Sequence, residues 1–182
     1  MPQRTEVDPC AFRHALGHFA TGIAAVTGTG PDDGAPTGFA VNSFCSVSLD
    51  PPLVAFCVAR TSTTWPVLRA AGRVCVNFLA AGQMPVSRRL ATRGEDKFTG
   101  LEWHPDTPGG LPVPTGTLAW LECSLEAEYP AGDHDIVLAR VRHLATSSEP
   151  PEASDPLLFF RGAYGGFRAF EAVRRGVTSN GE

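Results

Sequence analysis

From Gly22 onward the chain is a succession of short apolar and β-branched runs cut apart by turn residues, and this rhythm constrains its fold more than any other feature. Ile23 to Thr29, Thr37 to Leu49, Leu53 to Ala59 and Arg73 to Leu79 read as strands, divided by Gly30-Pro31-Asp32-Asp33-Gly34 and Asp50-Pro51-Pro52. Three more are predicted at Thr117 to Tyr129, Asp135 to Ala145 and Leu157 to Arg161. Two short helices, roughly Thr63 to Ala71 and Gln83 to Thr92, interrupt them, and the Pro- and Gly-rich stretch from Glu102 to Thr115 reads as a surface loop. So few helices could not cover a parallel sheet, so the expectation is a mainly β fold of barrel type with a few short helices.

Ahead of this pattern, Asp8 followed by Pro9 starts a helix, because the Asp side chain accepts from orphan amides and proline suits the first helical position. Phe12, Leu16 and Phe19 share one face of that helix and are expected to pack on the core. A length of 182 residues with 43% apolar side chains suits one globular domain. Its expected bounds are 12–170, with an N-terminal arm over 1–11 and a mobile, polar tail over 171–182.

Fifteen basic against nineteen acidic side chains, a net charge of -4, leave no basic block to displace counterions, which argues against nucleic acid as a partner. The longest clean apolar run, Leu53 to Ala59, falls far short of the ~18 residues of a membrane span. Met1 to Pro9 is polar and acidic, unlike a secretory signal, so a cytoplasmic location is expected. Five cysteines, an odd number without a Cys-x-x-Cys pair, read as reduced core residues.

Chemistry concentrates in Thr37 to Asp50. Strand alternation puts Phe39, Val41, Cys45, Val47 and Leu49 on one face and Gly38, Ala40, Asn42, Phe44, Ser46 and Ser48 on the other. The second face is small and rich in hydroxyl and amide groups, with room for a flat polar ring; a strand facing solvent has the same pattern. Arg60-Thr61-Ser62-Thr63-Thr64-Trp65-Pro66 follows, where a strand ends in hydroxyls and a helix begins. Free amides and the helix dipole suit a phosphate there, and Arg60 adds a charged fork. A simple N-cap accounts for one hydroxyl, not four. Ser87-Arg88-Arg89 offers further anion contacts or an exposed helix face, and Gly132-Asp133-His134-Asp135 is a turn that pins a histidine at a strand start.

Other signals lack their context. His14 and His18 have helical zinc-pair spacing but neither the metalloprotease glutamate nor a third ligand, so no metal is expected. Gly28-Thr29-Gly30 does not extend to a dinucleotide fingerprint, and the serines near 43–48 lack a Gly-x-Ser-x-Gly elbow.

In order along the chain, Phe19-Ala20-Thr21-Gly22, Thr37 through Pro52, Ser62-x-Thr64-Trp65, Val76-Asn77-Phe78-Leu79, Gln83, Asp96-Lys97-Phe98, Leu121-Glu122-Cys123, Gly132-Asp133-His134 and Pro156-Leu157 to Tyr164 resemble the short-chain flavin reductase family, over roughly Phe12 to Phe167. Its members supply reduced flavin to two-component monooxygenases. The resemblance implies an FMN-binding split β-barrel, a homodimer with flavin near the subunit interface, and hydride transfer from NADH or NADPH to FMN or FAD. By the same resemblance, Asn42, Ser43, Ser46 and Val47 would line the flavin ring, Ser62 and Thr64 would hold its phosphate with Arg60 nearby, and Asn77 would lie by the ring or ribityl chain. Ser87, Arg88, Lys97 and Phe98 would serve the phosphate or adenylate end. His134 would meet the nicotinamide as the catalytic residue, with Tyr164 near the same opening. Leu90 and Ala139 depart from the family pattern, at places where an aromatic and a glycine are usual. NADH is favoured over NADPH, since no arginine cluster for a 2′-phosphate is visible. A flavin-retaining oxidoreductase with another acceptor, or a non-catalytic flavin-binding module, stays open as an alternative.

Overall fold

Thirteen-residue strands β9 (Ala119–Ala131) and β10 (His134–Thr146) form the longest hairpin among the described residues, turned at Gly132-Asp133 with Gly132 at φ 69°. A positive φ at the first turn position matches the twist of the flanking strands and favours glycine. The computed structural model describes residues 7–94, 96–147 and 155–170. Around the hairpin stand β2 (Ala24–Thr29), β3 (Pro36–Val41), β4 (Cys45–Leu49), β5 (Pro52–Ala59) and β6 (Arg73–Phe78). They join in one antiparallel sheet of order β3-β2-β6-β9-β10-β5-β4. Smaller pieces are α1 (Pro9–Leu16), β1 (Thr21–Gly22), α2 (Trp65–Ala71), α3 (Met84–Ala91), β7 (Trp103–His104), β8 (Val113–Pro114), β11 (Leu158–Phe160) and β12 (Ala163–Gly165).

The predicted strand Thr37 to Leu49 is two strands, β3 and β4, on opposite edges of that sheet. Only Asn42, Ser43 and Phe44 lie between them. A chain advances at most ~3.6 Å per residue, so three linking residues can join the two edges only if the sheet rolls up until they nearly meet. Register shifts at Leu138/Ala139 and Val141/His143 mark the irregularities that bend the long hairpin. The result is a split barrel whose seam runs between β3 and β5.

Alternation sorts the side chains. Ala24 and Val26 of β2, Val54, Phe56 and Val58 of β5, Val74 and Val76 of β6 and Val137 of β10 fill the barrel. Trp65 and Leu68 of α2 close it, with Trp65 edge-on to Phe39 and Phe56 at 6.2 and 5.9 Å. Phe56 is fully buried, a contribution of about 3 kcal/mol from its transfer out of water. On the other side of β2, Ala25 packs with Ile23, Leu79, Leu90, Phe98 and Leu157 beneath α3.

Two expectations need correction. Glu102 to Thr115 is no mere surface loop: β7 and β8 pair within it, and Leu111 and Val113 bury against Cys75. Helix α1 starts at Pro9 as expected, capped by Asp8 Oδ2 accepting from Ala11 N at 2.7 Å, but its apolar face does not pack on the core as expected. It buries no residue: Phe12 and Leu16 on the helix, and Phe19 just past its end, stay 54%, 55% and 75% exposed because no core formed by the described residues lies under that face. The tail over 171–182 lies outside the described residues. Among the described residues no helix is long and apolar enough to cross a membrane.

Candidate functional site

Where β4 ends, β5 loses its neighbour. Ala55 still pairs with Cys45, but two residues on, Cys57 meets the Ser43 side chain instead. Ser43 Oγ accepts from Cys57 N at 2.9 Å and lies 3.4 Å from Cys57 O, so one hydroxyl stands in for the missing rung of the ladder. Beyond it the seam opens into a cleft of 360 Å³, within the range of small-molecule sites. Its walls are the end of β3 with Asn42 and Ser43, the end of β5, the run Thr61 to Thr64, and the C-terminal end of α3 through Arg93.

Each wall is held by a local device. Thr64 occupies the N-cap position of α2, yet its side chain makes no cap bond; Ser62 Oγ accepts from Trp65 N at 3.2 Å instead. The single hydroxyl needed for capping is thus Ser62, which leaves that of Thr64 for other use. Lys97, 7% exposed, donates from Nζ to Thr64 Oγ1 at 3.1 Å, Gly38 O at 3.2 Å and Leu90 O at 3.3 Å. Burial lowers its pKa below the usual lysine value of 10.5. Gly38 itself admits no side chain, since a Cβ there would stand 2.7 Å from Val26 O.

His134 starts β10, opposite Ala59 of β5, and its side chain is 44% exposed at the cleft. Its Nδ1 lies 2.8 Å from Asp133 Oδ1; facing a carboxylate, that nitrogen donates, which leaves Nε2 as the ring nitrogen available to a ligand. The bond to His134, together with its charge, lowers the Asp133 pKa. No carboxylate lines the cleft among the described residues, whereas Lys97 and Arg93 both do. Small hydroxyls and one amide, with two cations beside them, suit a ring carrying an anionic tail.

Of the residues expected from sequence, Asn42, Ser43, Ser62, Thr64, Lys97 and His134 converge on this cleft. The others are placed elsewhere. Ser46 and Val47 lie on β4, the free edge strand, with Val47 52% exposed. Arg60 reaches away to Asp135, Nε to Oδ1 at 3.2 Å. Asn77 falls on the Cys75 side of β6, outside the barrel, where its Nδ2 donates to Ala25 O at 3.1 Å and Thr27 Oγ1 at 2.9 Å and is fully buried. Strand alternation is the reason: its neighbours Val76 and Phe78 take the barrel face.

Ser87 sits a turn before the cleft and bonds Tyr164 Oη at 3.1 Å, with the Arg88 guanidinium 5.7 Å from the same ring's centroid. Phe98 packs in the apolar cluster under α3, edge-on to Trp103 at 6.0 Å. Sequence reasoning missed Arg93 and Cys57 as lining residues; an arginine just beyond a helix terminus was the only signal for the first. It also missed a second hollow of 780 Å³ on the other side of Asn42 and Ser43, bordered by Arg13, His14, His18 and Arg161. Buried Cys75 and Cys123 offer no nucleophile: burial, with Glu122 nearby, pushes Cys123 up to about 12 and Cys75 higher still.

Residues 16–168 match the family described as "Flavin reductase like domain". This chain belongs to that family. A flavin reductase of Pseudomonas putida is 48% identical over 166 residues, spanning 91% of this chain and 94% of its own. The reductase subunit HsaB of a flavin-dependent monooxygenase from Rhodococcus jostii is 42% identical, over 92% and 82% of the two chains. Among solved structures, nitrilotriacetate monooxygenase component B from Mycobacterium thermoresistibile superposes with a TM-score of 0.81 at 41% identity, over 87% and 86% of the chains. The NADH:FAD oxidoreductase SgcE6 of Streptomyces globisporus, in complex with NAD and FAD fragments, gives 0.81 at 34% identity, over 91% and 98%. The split barrel of this flavin reductase-like chain is therefore the family fold, and its seam cleft is the site to be explained.

Proposed function

We propose that this protein is an NAD(P)H:flavin oxidoreductase that reduces FMN or FAD and supplies the reduced flavin to a separate monooxygenase. The observation that carries the reading is the convergence of Asn42, Ser43, Ser62, Thr64, Lys97 and His134 on a seam cleft free of carboxylates among the described residues. A bound flavin supplies the hydride-accepting chemistry, with nicotinamide as donor. Asn42, with Ser43 beside it, orients the ring, and the hydroxyls of Ser62 and Thr64 take the anionic tail. His134, fixed by Asp133, presents Nε2 to the carboxamide of the nicotinamide and so positions the donor ring. In its neutral form that nitrogen accepts from the amide N–H; protonated, it donates to the amide oxygen. A partly open cleft suits a flavin that must leave after reduction.

NADH is the proposed donor, in keeping with an FMN reductase (NADH), SmoA, of Agrobacterium fabrum that is 42% identical over 157 residues, 86% of this chain and 85% of its own. A homodimer accounts for the bare apolar side chains that flank the seam, Val47 and Leu49 on β4 and Phe12, Leu16 and Phe19 around α1. A cytoplasmic location goes with a diffusible flavin product. The test follows NADH absorbance with excess free flavin. Turnover proportional to added flavin supports the proposal; a single stoichiometric reduction of retained flavin, or no NADH oxidation, overturns it.

A further inference from the structure

Lys97 is the only lysine of the chain, and it is buried with no carboxylate partner among the described residues. An ammonium has three protons and no lone pair, and here three acceptors, Gly38 O, Thr64 Oγ1 and Leu90 O, take all three. It therefore has no proton left for a ligand in this arrangement. Thr64 Oγ1 receives one of those protons, and Lys97 is its one hydrogen-bond partner among the described residues. A hydroxyl held as acceptor on one side has to aim its own proton elsewhere, and Thr64 borders the cleft.

From this geometry we infer that Lys97 is a positioning residue that acts through Thr64: it fixes the hydroxyl as a donor pointed at the anionic tail of the flavin and adds to that donor's acidity through its charge. Its two other bonds tie the same point to β3 through Gly38 and to the C-terminal end of α3 through Leu90, where a cation suits the helix dipole. Three walls of the cleft thus share one charge. The inference rests on the flavin reading of the cleft and deepens it.

FMN and riboflavin separate the two, because they share the ring and only FMN bears the phosphate. Affinities for both are measured by titration calorimetry on the wild type, Thr64→Val, Thr64→Ser, Lys97→Met and the double variant Lys97→Met/Thr64→Val. Wild type should prefer FMN. Thr64→Val and Lys97→Met should each lose at least about tenfold of that preference, the lower end for a charge-assisted hydrogen bond, while riboflavin binding and Thr64→Ser stay near wild type. The double variant should lose no more than Thr64→Val alone. Losses that multiply mean that Lys97 meets the phosphate directly, and equal losses for both ligands mean a structural role; each overturns the inference. A wild type without preference for FMN sinks instead the placement of the phosphate in this cleft. If Lys97→Met does not fold, 15N-lysine labelling decides, since one lysine yields one ammonium signal. Its shift on FMN binding should vanish in Thr64→Val at saturation; persistence refutes the relay.

Discussion

Replacing Ser43 by alanine removes the hydroxyl that completes the ladder of β5 and leaves the Cys57 amide to water. The bond lost is one well-formed contact of 2.9 Å, with a marginal one of 3.4 Å on the return side. For a half-buried neutral pair the net cost is about 1 kcal/mol, equivalent to roughly a fivefold rise in local opening. Hydrogen exchange read by NMR resolves it residue by residue. Cys57 should exchange roughly fivefold faster, while Phe56 and Val58, whose amides alternate toward β10, and Ala55, which still faces Cys45, should not change. Flavin affinity should fall as well, because Ser43 also borders the cleft. An unchanged Cys57 rate refutes the ladder role, and an equal acceleration at Phe56 and Val58 refutes its locality.

Gly38→Ala should lower stability in urea by about 1 to 3 kcal/mol, because its Cβ would meet the backbone oxygen of Val26 at 2.7 Å and β2 cannot yield; a neutral result would refute the close approach. His134→Ala should raise KM for NADH while flavin affinity holds, and unchanged NADH kinetics would remove His134 from the donor site. Phe56→Ala should cost about 3 to 5 kcal/mol by thermal or urea unfolding, as expected for emptying a fully buried aromatic at the barrel centre. NMR titration of the lone lysine should give a pKa below 10.5. In the window between that lowered value and 10.5 the unfolded chain binds more protons than the folded one, so stability rises with pH there and is unaffected by this group well below it. A titration at or above 10.5 would contradict the burial argument.

Local rules carried far in this chain. Alternation and turn residues sufficed for most of the barrel strands and for the helices α2 and α3, because each depends on neighbours in sequence. The hydroxyl run at Ser62 and Thr64 and the turn at Gly132-Asp133-His134 were equally legible, being short motifs with their own chemistry. Alternation says which residues share a face, though not which face looks inward: Asn77 has the right composition for a ligand contact and spends its amide on Ala25 and Thr27. Nor does it say who pairs with whom. That β3 and β4 part to opposite edges, that Ser43 completes a rung for a strand fourteen positions on, and that Lys97 reaches Thr64 across thirty-three are consequences of the sheet closing on itself. Closure is set by long-range pairing and by the bulges in β9 and β10, so the cleft exists only once the whole sheet is rolled.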